Sequence, residues 1–234
     1  MLAMIAFDAD DTLWQNESAY QLAESKLAAL LAGYGIGGDM SAAIYQTEKT
    51  NLPYFGFGIK SFTLSMIETA IRLTEGRIGG GDINAIINIA KAMIDAPIEL
   101  LGGVLETVEQ LAQSHPLMLI TKGDLLDQER KLERSGLAKH FTAVEIVSDK
   151  SADTYRSILT KTDIAPEQFM MIGNSLKSDI LPVVEIGGHG VYIPHQTTWI
   201  HEVVEGTNGA VYTTLEHIGQ LPDFVRKLEQ QEAR

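Results

Sequence analysis

Short apolar runs alternate with amphipathic segments along most of the chain. Met4–Phe7 is an apolar run typical of a buried strand, and five later runs predict further strands at residues 117–120, 142–147, 169–172, 190–193 and 210–212. Helical patterns lie between and after them, at residues 104–113, 125–135, 151–159, 180–186 and 215–231, the last with a break at Pro222. This alternation favours an α/β fold with a mostly parallel sheet covered by helices on both faces.

A block of helical patterns interrupts the alternation after the first strand. It contains predicted helices at residues 17–32, 41–50, 61–74 and 83–95, and residues 51–60 (NLPYFGFGIK) are predicted as an aromatic, glycine-rich loop. We therefore predict two domains. Residues 1–14 and 98–234 form a three-layer α/β core with a mostly parallel sheet, and residues 15–97 form an inserted all-α domain.

Composition narrows the functional classes. Hydrophobic residues make up 45% and charged residues 21% of the 234 positions, as in an ordinary soluble globular protein. The formal net charge of -13 argues against non-specific binding of nucleic acid, which needs a basic face. The sequence contains no cysteine, which excludes disulfides and thiolate metal sites. It shows no apolar run long enough to span a membrane and no pattern of a signal peptide. We expect a cytoplasmic protein without nucleic-acid or membrane partners.

Three carboxylates follow the first strand within four positions: Asp8, Asp10 and Asp11. Residues i and i+2 at the exit of a strand project to the same side, so Asp8 and Asp10 can aim at one point. Two converging carboxylates suit a metal ion and phosphoryl-group chemistry. The alternative is an acidic turn that caps a helix beginning near Glu17.

Three later strands also end in polar groups, and ligands of open parallel sheets bind at these carboxyl ends. After the second strand, the Thr121 hydroxyl and the backbone N–H groups of Lys122 and Gly123 offer a phosphate seat. The third supplies Lys150 as a point charge. The fourth supplies hard oxygen ligands for Mg²⁺: Asn174, Ser175 and Asp179. Each has a plainer alternative: a helix cap for Thr121, a surface lysine at Lys150, and a turn with its N-cap at residues 174–179.

In these motifs the chain resembles the haloacid dehalogenase superfamily. FDADDT, the threonine of ITKGD, Lys150 and GNSLKSD follow in the family's order, and the similarity covers residues 3–14 and 99–205. The resemblance implies a Rossmann-like core, a small mobile helical cap at residues 15–97, and Mg²⁺ as cofactor. It also implies that Asp8 is a nucleophile that forms an aspartyl-phosphate.

Asp10 separates two chemistries within the superfamily. Phosphatase members carry an Asp two positions after the nucleophile, whereas dehalogenase members lack it. Here the resemblance implies that Asp10 is the general acid and base, that Lys150 neutralises phosphate oxygens, and that Mg²⁺ is held by Asp8, the Asp10 carbonyl, Asn174 and Asp179. Gly173-Asn174 replaces the family's usual Gly-Asp, which removes one negative charge and suggests weaker Mg²⁺ binding.

The sequence therefore predicts a Mg²⁺-dependent phosphatase acting on a small phosphorylated molecule. Two alternatives stay open: a phosphosugar mutase of the same superfamily, and a non-catalytic binding protein that retains the fold. The natural substrate and the oligomeric state are not predicted. His189, His195 and His201 could suggest zinc, but their spacing matches no common ligand pattern.

The predicted loop at residues 51–60 carries the specificity hypothesis. Tyr54 and Phe57 offer aromatic surface to a substrate, and Lys60 offers a cation in an acidic chain. We expect Phe57→Ala and Lys60→Ala to impair turnover of the natural substrate far more than that of p-nitrophenyl phosphate, because remote binding energy is lost only for the larger ligand. Steady-state kinetics on both substrates test this. Equal losses on both would assign these residues to folding or general closure.

Overall fold

The computed structural model describes residues 1–195, 202, 206–207 and 209–232. Within this part of the chain, six parallel strands form one sheet in the order β3-β2-β1-β4-β5-β6. The strands are β1 (Met4–Phe7), β2 (Leu117–Lys122), β3 (Ala143–Val147), β4 (Phe169–Gly173), β5 (His189–Tyr192) and β6 (Thr213–Thr214). The predicted α/β fold with a parallel sheet is confirmed.

The first strand lies in the middle of the sheet. Phe7 is aligned with Leu119 of β2 on one side and with Ile172 of β4 on the other. All four β1 residues are buried, since side chains of a central strand pack against apolar layers on both faces. One layer centres on Ile5, Phe7 and Trp14, and the other on Ala6, Tyr155 and Phe169.

The chain divides into two compact units. The first comprises Met1–Glu17, Ile98–Lys122 and Arg130–Arg234, and the second comprises Ser18–Pro97 and Gly123–Glu129. Helices that contribute to the first unit are α5 (Val104–Ala112), the end of α6 (Leu125–Arg134), α7 (Ala152–Thr162), α8 (Leu181–Glu185) and α9 (Leu221–Glu232). A single π-helical turn, Leu176–Ile180, precedes α8.

The second unit is built mainly from four helices around its own apolar cluster. They are α1 (Glu17–Ala32), α2 (Met40–Phe55), α3 (Ile59–Leu73) and α4 (Gly80–Asp95). Leu27, Ile44, Phe62 and Met66 are among the buried residues of the cluster. The sequence predicts the helical domain at residues 15–97, and the second unit comprises Ser18–Pro97 together with Gly123–Glu129.

Three local predictions were wrong. Residues 51–55 continue α2, and α3 begins at Ile59, so the predicted ten-residue loop is reduced to Gly56–Gly58. Asn51 explains the longer helix, because its buried amide donates to Ser65 Oγ at 3.1 Å and to Glu68 Oε2 at 2.9 Å. The last strand is residues 213–214 rather than 210–212, and Pro222 does not break the last helix but lies in its first turn, where proline needs no N–H partner.

Across the described part of the chain, no helix has both the length and the hydropathy that crossing a membrane requires.

Gly173, the last residue of β4, is a glycine because of a close approach. A Cβ atom there would lie 2.2 Å from Asp179 Oδ2 and 2.4 Å from Asp179 Cγ. The Asp179 carboxylate therefore occupies the space that a side chain at position 173 would need. This contact allows the turn after β4 to fold back on the end of the strand.

We expect Gly173→Ala to lower the free energy of unfolding by about 3 kcal/mol or more, at or above the upper end of the usual cost of overpacking. Urea unfolding measures the difference. Gly102→Ala is the matched control, because a Cβ there meets nothing within 4 Å, and its effect should stay within about 0.5 kcal/mol. Equal stabilities of the two variants would contradict the close approach of Asp179.

Candidate active site

The centre of the site is an ammonium group shared by two carboxylates. Lys150, three residues beyond the end of β3, donates from Nζ to Asp8 Oδ1 and, at 2.7 Å, to Asp179 Oδ1. All three residues are buried. The alternative of Lys150 as a surface lysine is therefore wrong. The three strands β1, β3 and β4 bring these groups together because their carboxyl ends lie at the same edge of the sheet.

Burial and mutual charge set the protonation of this trio. Burial alone would lower the pKa of Lys150, but Asp179 and Asp8 outweigh it and raise the pKa above its ordinary value. Burial raises the pKa of Asp179 to about 7; Lys150 opposes this rise and the Asp8 charge adds to it. With both carboxylates ionised, the trio carries a formal charge of -1.

Thr12 connects Asp8 to the end of β4. Its hydroxyl lies 2.9 Å from Asp8 Oδ2 and 3.2 Å from Asn174 Oδ1, and it accepts from the backbone N–H of Asn174 at 3.1 Å. Asp179 Oδ2 in turn accepts from the backbone N–H of Ser175 at 3.0 Å. Ser175 also caps the following turn by accepting from Ser178 N, as the N-cap alternative expected. Hydrogen bonds thus link Asp8, Asn174 and Asp179.

Asp10 is held from two sides. Trp14 Nε1–H donates to Asp10 Oδ1 at 2.7 Å, and Lys131 Nζ donates to Oδ1 at 3.1 Å and to Oδ2 at 3.3 Å. The same ammonium donates to Asn16 Oδ1 at 2.9 Å. The Asp10 side chain keeps 22% of its surface exposed, whereas Lys131 and Trp14 are buried.

Asp11 has a different role from its two neighbours. Its carboxylate accepts from the backbone N–H groups of Asn16 and Glu17, at 2.8 Å and 3.0 Å, where α1 begins. Its φ of 59° is left-handed, a conformation that Asp tolerates better than most residues. Burial raises the pKa of Asp11, while the two N–H groups and His195 oppose the rise. The capping alternative therefore describes Asp11.

The residues of the predicted phosphate seat lie at the end of β2 and directly after it. Thr121 is buried in the strand, with its hydroxyl 3.3 Å from the carbonyl oxygen of Lys122. Gly123 follows with a φ of 125°, which a side chain would strain. Thr121 therefore belongs to the strand and is not a helix cap.

A further carboxylate, not predicted from the sequence, lies beside the turn after β4. Glu202 accepts from Lys122 Nζ at 2.5 Å, from Ser178 Oγ at 2.6 Å and from Ser175 Oγ. Lys122 also donates to Ser178 Oγ at 2.8 Å. Burial would raise the pKa of Glu202, but Lys122 and the three hydrogen bonds lower it to about 2.

The residues predicted to meet the substrate lie in the second unit. Tyr54 is 82% exposed in the last turn of α2, and Phe57 is half-buried in the connection to α3. Lys60 lies in the first turn of α3, where its ammonium is 3.3 Å from Asp124 Oδ1 and its backbone N–H donates to Asp124 Oδ2 at 3.0 Å. Lys60→Ala therefore also removes an ion pair within this unit.

Comparison with known proteins identifies the family of this chain. A family model described as haloacid dehalogenase-like hydrolase matches residues 2–187. This chain belongs to that family. A haloacid dehalogenase-like family hydrolase from Xanthomonas campestris is 42% identical, with a TM-score of 0.88 over 100% of this chain and 94% of the other. A search of curated proteins found no match.

Two more distant structures share the fold of the hydrolase. A 2-haloacid dehalogenase from Pseudomonas syringae pv. tomato is 18% identical, with a TM-score of 0.66 over 97% of this chain and 100% of the other. The HAD-hydrolase YfnB from Bacillus subtilis, bound to magnesium, is 17% identical, with a TM-score of 0.69 over 96% and 99%. Solved structures of this fold include phosphatases as well as dehalogenases.

The oxygen atoms of the hydrolase site suit a hard divalent cation. Asp8, Asn174 and Asp179 contribute two carboxylates and an amide oxygen. When both carboxylates are ionised, they retain one negative charge beyond the one that Lys150 balances. Mg²⁺ keeps several waters and needs only one or two protein carboxylates.

The described residues contain no group of three or more His, Asp or Glu side chains arranged around a metal, which gives no support to a zinc site at the histidines. His201 lies outside the described residues; His189 Nε2 contacts the Glu167 carbonyl oxygen.

Sequence reasoning missed three of the charged or aromatic partners in the hydrolase site. Lys131 lies in a strongly charged helical segment, QERKLER, where every charge looks solvated. Glu202 lies outside any recognised motif. Trp14 lies just beyond the FDADDT motif, and its indole N–H could have indicated a partner, since buried tryptophans usually find one.

We expect the stability that Glu202 contributes to depend on pH. Its folded pKa, about 2, is below the ordinary 4.5, so its contribution is complete above roughly pH 5 and is lost as the pH falls toward 2. Glu202→Gln should cost about 3 kcal/mol at pH 7, and about 1 kcal/mol less at pH 3.5. Urea unfolding across this range measures the difference. The exposed Glu216→Gln is the control; the same pH-independent cost in both variants would contradict the buried ion pair.

Proposed function

We propose that this hydrolase is a phosphatase that releases phosphate from a small phosphorylated metabolite by way of an aspartyl-phosphate on Asp8. The observation that carries the proposal is that two carboxylates of one turn, Asp8 and Asp10, have different surroundings. Asp8 is buried against Lys150 and Thr12, whereas Asp10 is partly exposed and held by Trp14 and Lys131. Two such groups suit a nucleophile and a proton donor.

In the proposed reaction, an Asp8 carboxylate oxygen attacks phosphorus in line with the departing oxygen. Lys150 and Thr12 orient the Asp8 carboxylate, and the Lys150 ammonium also offsets negative charge on the transferred group. The backbone N–H groups of Lys122 and Gly123 with the Thr121 hydroxyl form a seat for phosphate oxygens. Asp10 gives its proton to the leaving alkoxide and later takes one from the water that hydrolyses the intermediate.

The presence of Asp10 favours phosphate esters over haloacids. An alkoxide is a poor leaving group and needs a proton, which a second carboxyl group can supply, whereas a halide leaves without one. The phosphatase interpretation uses both carboxylates of this turn. Displacement of a halide needs only the nucleophile.

Mg²⁺ fits the site and completes the proposal. Asp8, Asn174, Asp179 and the Asp10 carbonyl would hold it, and when bound it would neutralise charge on the phosphoryl oxygens. Because Asn174 is neutral, the ligand set holds one charge fewer than Gly-Asp members of the superfamily, and we expect weaker affinity. Tyr54, Phe57 and Lys60 remain the proposed substrate contacts of the helical unit.

We expect phosphate release in a screen of sugar phosphates, nucleotides and phospho-acids with Mg²⁺, and its loss in EDTA. Transfer of phosphate within a sugar without release would instead indicate a mutase. Halide release from 2-haloacids without any phosphatase activity would indicate a dehalogenase. Absence of turnover on the phosphate esters and on the 2-haloacids alike would favour a binding protein.

Asp8→Asn should lower phosphate release at least about 10³-fold, because the amide cannot form the phosphoryl intermediate. Its melting temperature should stay close to that of the wild type, since Lys150 keeps Asp179 as a charged partner. Asp11→Asn is the matched control: it retains a capping oxygen for α1 and should stay active. Acid quenching with labelled substrate should trap phosphate on the wild type and on Asp11→Asn, and none on Asp8→Asn. Comparable activities of the two variants would remove Asp8 from the mechanism.

A further inference from the structure

Two buried side chains orient the carboxylate of Asp10. The Trp14 indole N–H points at Oδ1 from four residues further along the same turn, at 2.7 Å. The Lys131 ammonium approaches from α6 and contacts both oxygens, at 3.1 Å and 3.3 Å. Neither Trp14 nor Lys131 belongs to the motifs that suggested the reaction.

Backbone hydrogen bonds define the conformation of the turn and with it the direction of the indole N–H. Leu13 N donates to the Ala9 carbonyl oxygen at 2.8 Å, and Asp11 N donates to the Trp14 carbonyl oxygen at 2.8 Å. Trp14 is also bridged to Leu100, and its ring is fully buried. The N–H donor therefore has a fixed position relative to the backbone of Asp10.

The two donors do different things to a carboxylate. An ammonium is a compact point charge with rotatable donors, so it attracts the group without fixing its plane. An indole N–H is a single directional donor, so it selects one oxygen and one orientation. An ammonium is also costly to bury, and Lys131 is buried beside Asp10 and Asn16. Lys131 thus supplies an attracting charge and Trp14 a directional hydrogen bond to the Asp10 side chain, which remains partly exposed to solvent.

We propose that Trp14 and Lys131 are positioning residues that hold Asp10 in the orientation needed for proton transfer to the leaving group. This inference rests on the proposed phosphatase function. Neither residue touches the substrate; both act through Asp10. A general acid contributes only when it lies within hydrogen-bond reach of the atom that it protonates, so a loosened Asp10 should lose part of that contribution.

The choice of leaving group isolates this role. Release of an alkyl alcohol needs the proton from Asp10, whereas 2,4-dinitrophenolate leaves without one. The value of kcat/KM covers only the steps up to formation of the aspartyl-phosphate, so later hydrolysis does not enter. We expect Trp14→Phe and Lys131→Met each to lower kcat/KM about tenfold or more for an alkyl phosphate, and to change it less than about twofold for 2,4-dinitrophenyl phosphate.

Control variants separate positioning from folding. Lys139→Met removes an exposed lysine from the same unit and should change neither value. Lys131→Arg keeps a cation and should recover part of the loss on the alkyl ester. Trp14→Phe keeps most of the buried ring, so it carries the test if Lys131→Met does not fold. Circular dichroism and the melting temperature verify each variant.

A double-mutant cycle completes the experiment. In an Asp10→Asn background the acid is already absent, so Lys131→Met and Trp14→Phe should cause no further loss on the alkyl ester. Equal losses on both esters, or the same loss with and without Asp10, would overturn the positioning role while leaving the phosphatase proposal intact. A wild-type protein that releases phosphate from neither ester would overturn both.

Discussion

The site depends on one ammonium group that two buried carboxylates share. Lys150 reaches Asp8 and Asp179 only because the ends of β1, β3 and β4 lie at one edge of the sheet and because Gly173 leaves room for the Asp179 side chain. Removal of Lys150 would leave both carboxylates buried without their cation, and breaking a buried ion pair in this way typically costs about 3–5 kcal/mol. The charges that serve the proposed chemistry therefore also hold the strand ends together.

The sequence was sufficient where physical constraints act along short stretches. Apolar runs predicted the central strands, because a strand that is covered on both faces consists of apolar residues almost without interruption. The polar residues after those runs predicted the group around Asp8, since parallel strands collect their carboxyl ends at one edge. The end of α2 was not predictable in this way. Pro53 and the glycines at positions 56 and 58 suggested a loop, and the helix persists because Asn51 is bonded to Ser65 and Glu68 of α3.

The partners of Asp10 and Lys122 could not be predicted because they depend on tertiary proximity. Lys131 is separated from Asp10 by 121 residues and Glu202 from Lys122 by 80, and a lone charge in a polar segment has no periodicity that reveals a buried partner. Local reasoning assigns such residues to solvent by default. The same limit left the helix-capping alternative open for the whole acidic turn, although it is the Asp11 carboxylate that bonds to the start of α1.

The central place of β1 has a consequence for the order in which the protein is made. Its neighbours in the sheet are residues 117–119 and 169–172, so the strand that leads to Asp8 leaves the ribosome long before either neighbour exists. At a synthesis rate of about 5–20 residues per second, that apolar segment waits roughly 8 to 32 seconds for its second neighbour. Helices α1–α4 are made in that interval and contain most of their own contacts, so they can fold first. During translation the nascent chain thus carries an unpaired apolar strand, which chaperones that bind nascent chains would have reason to shield.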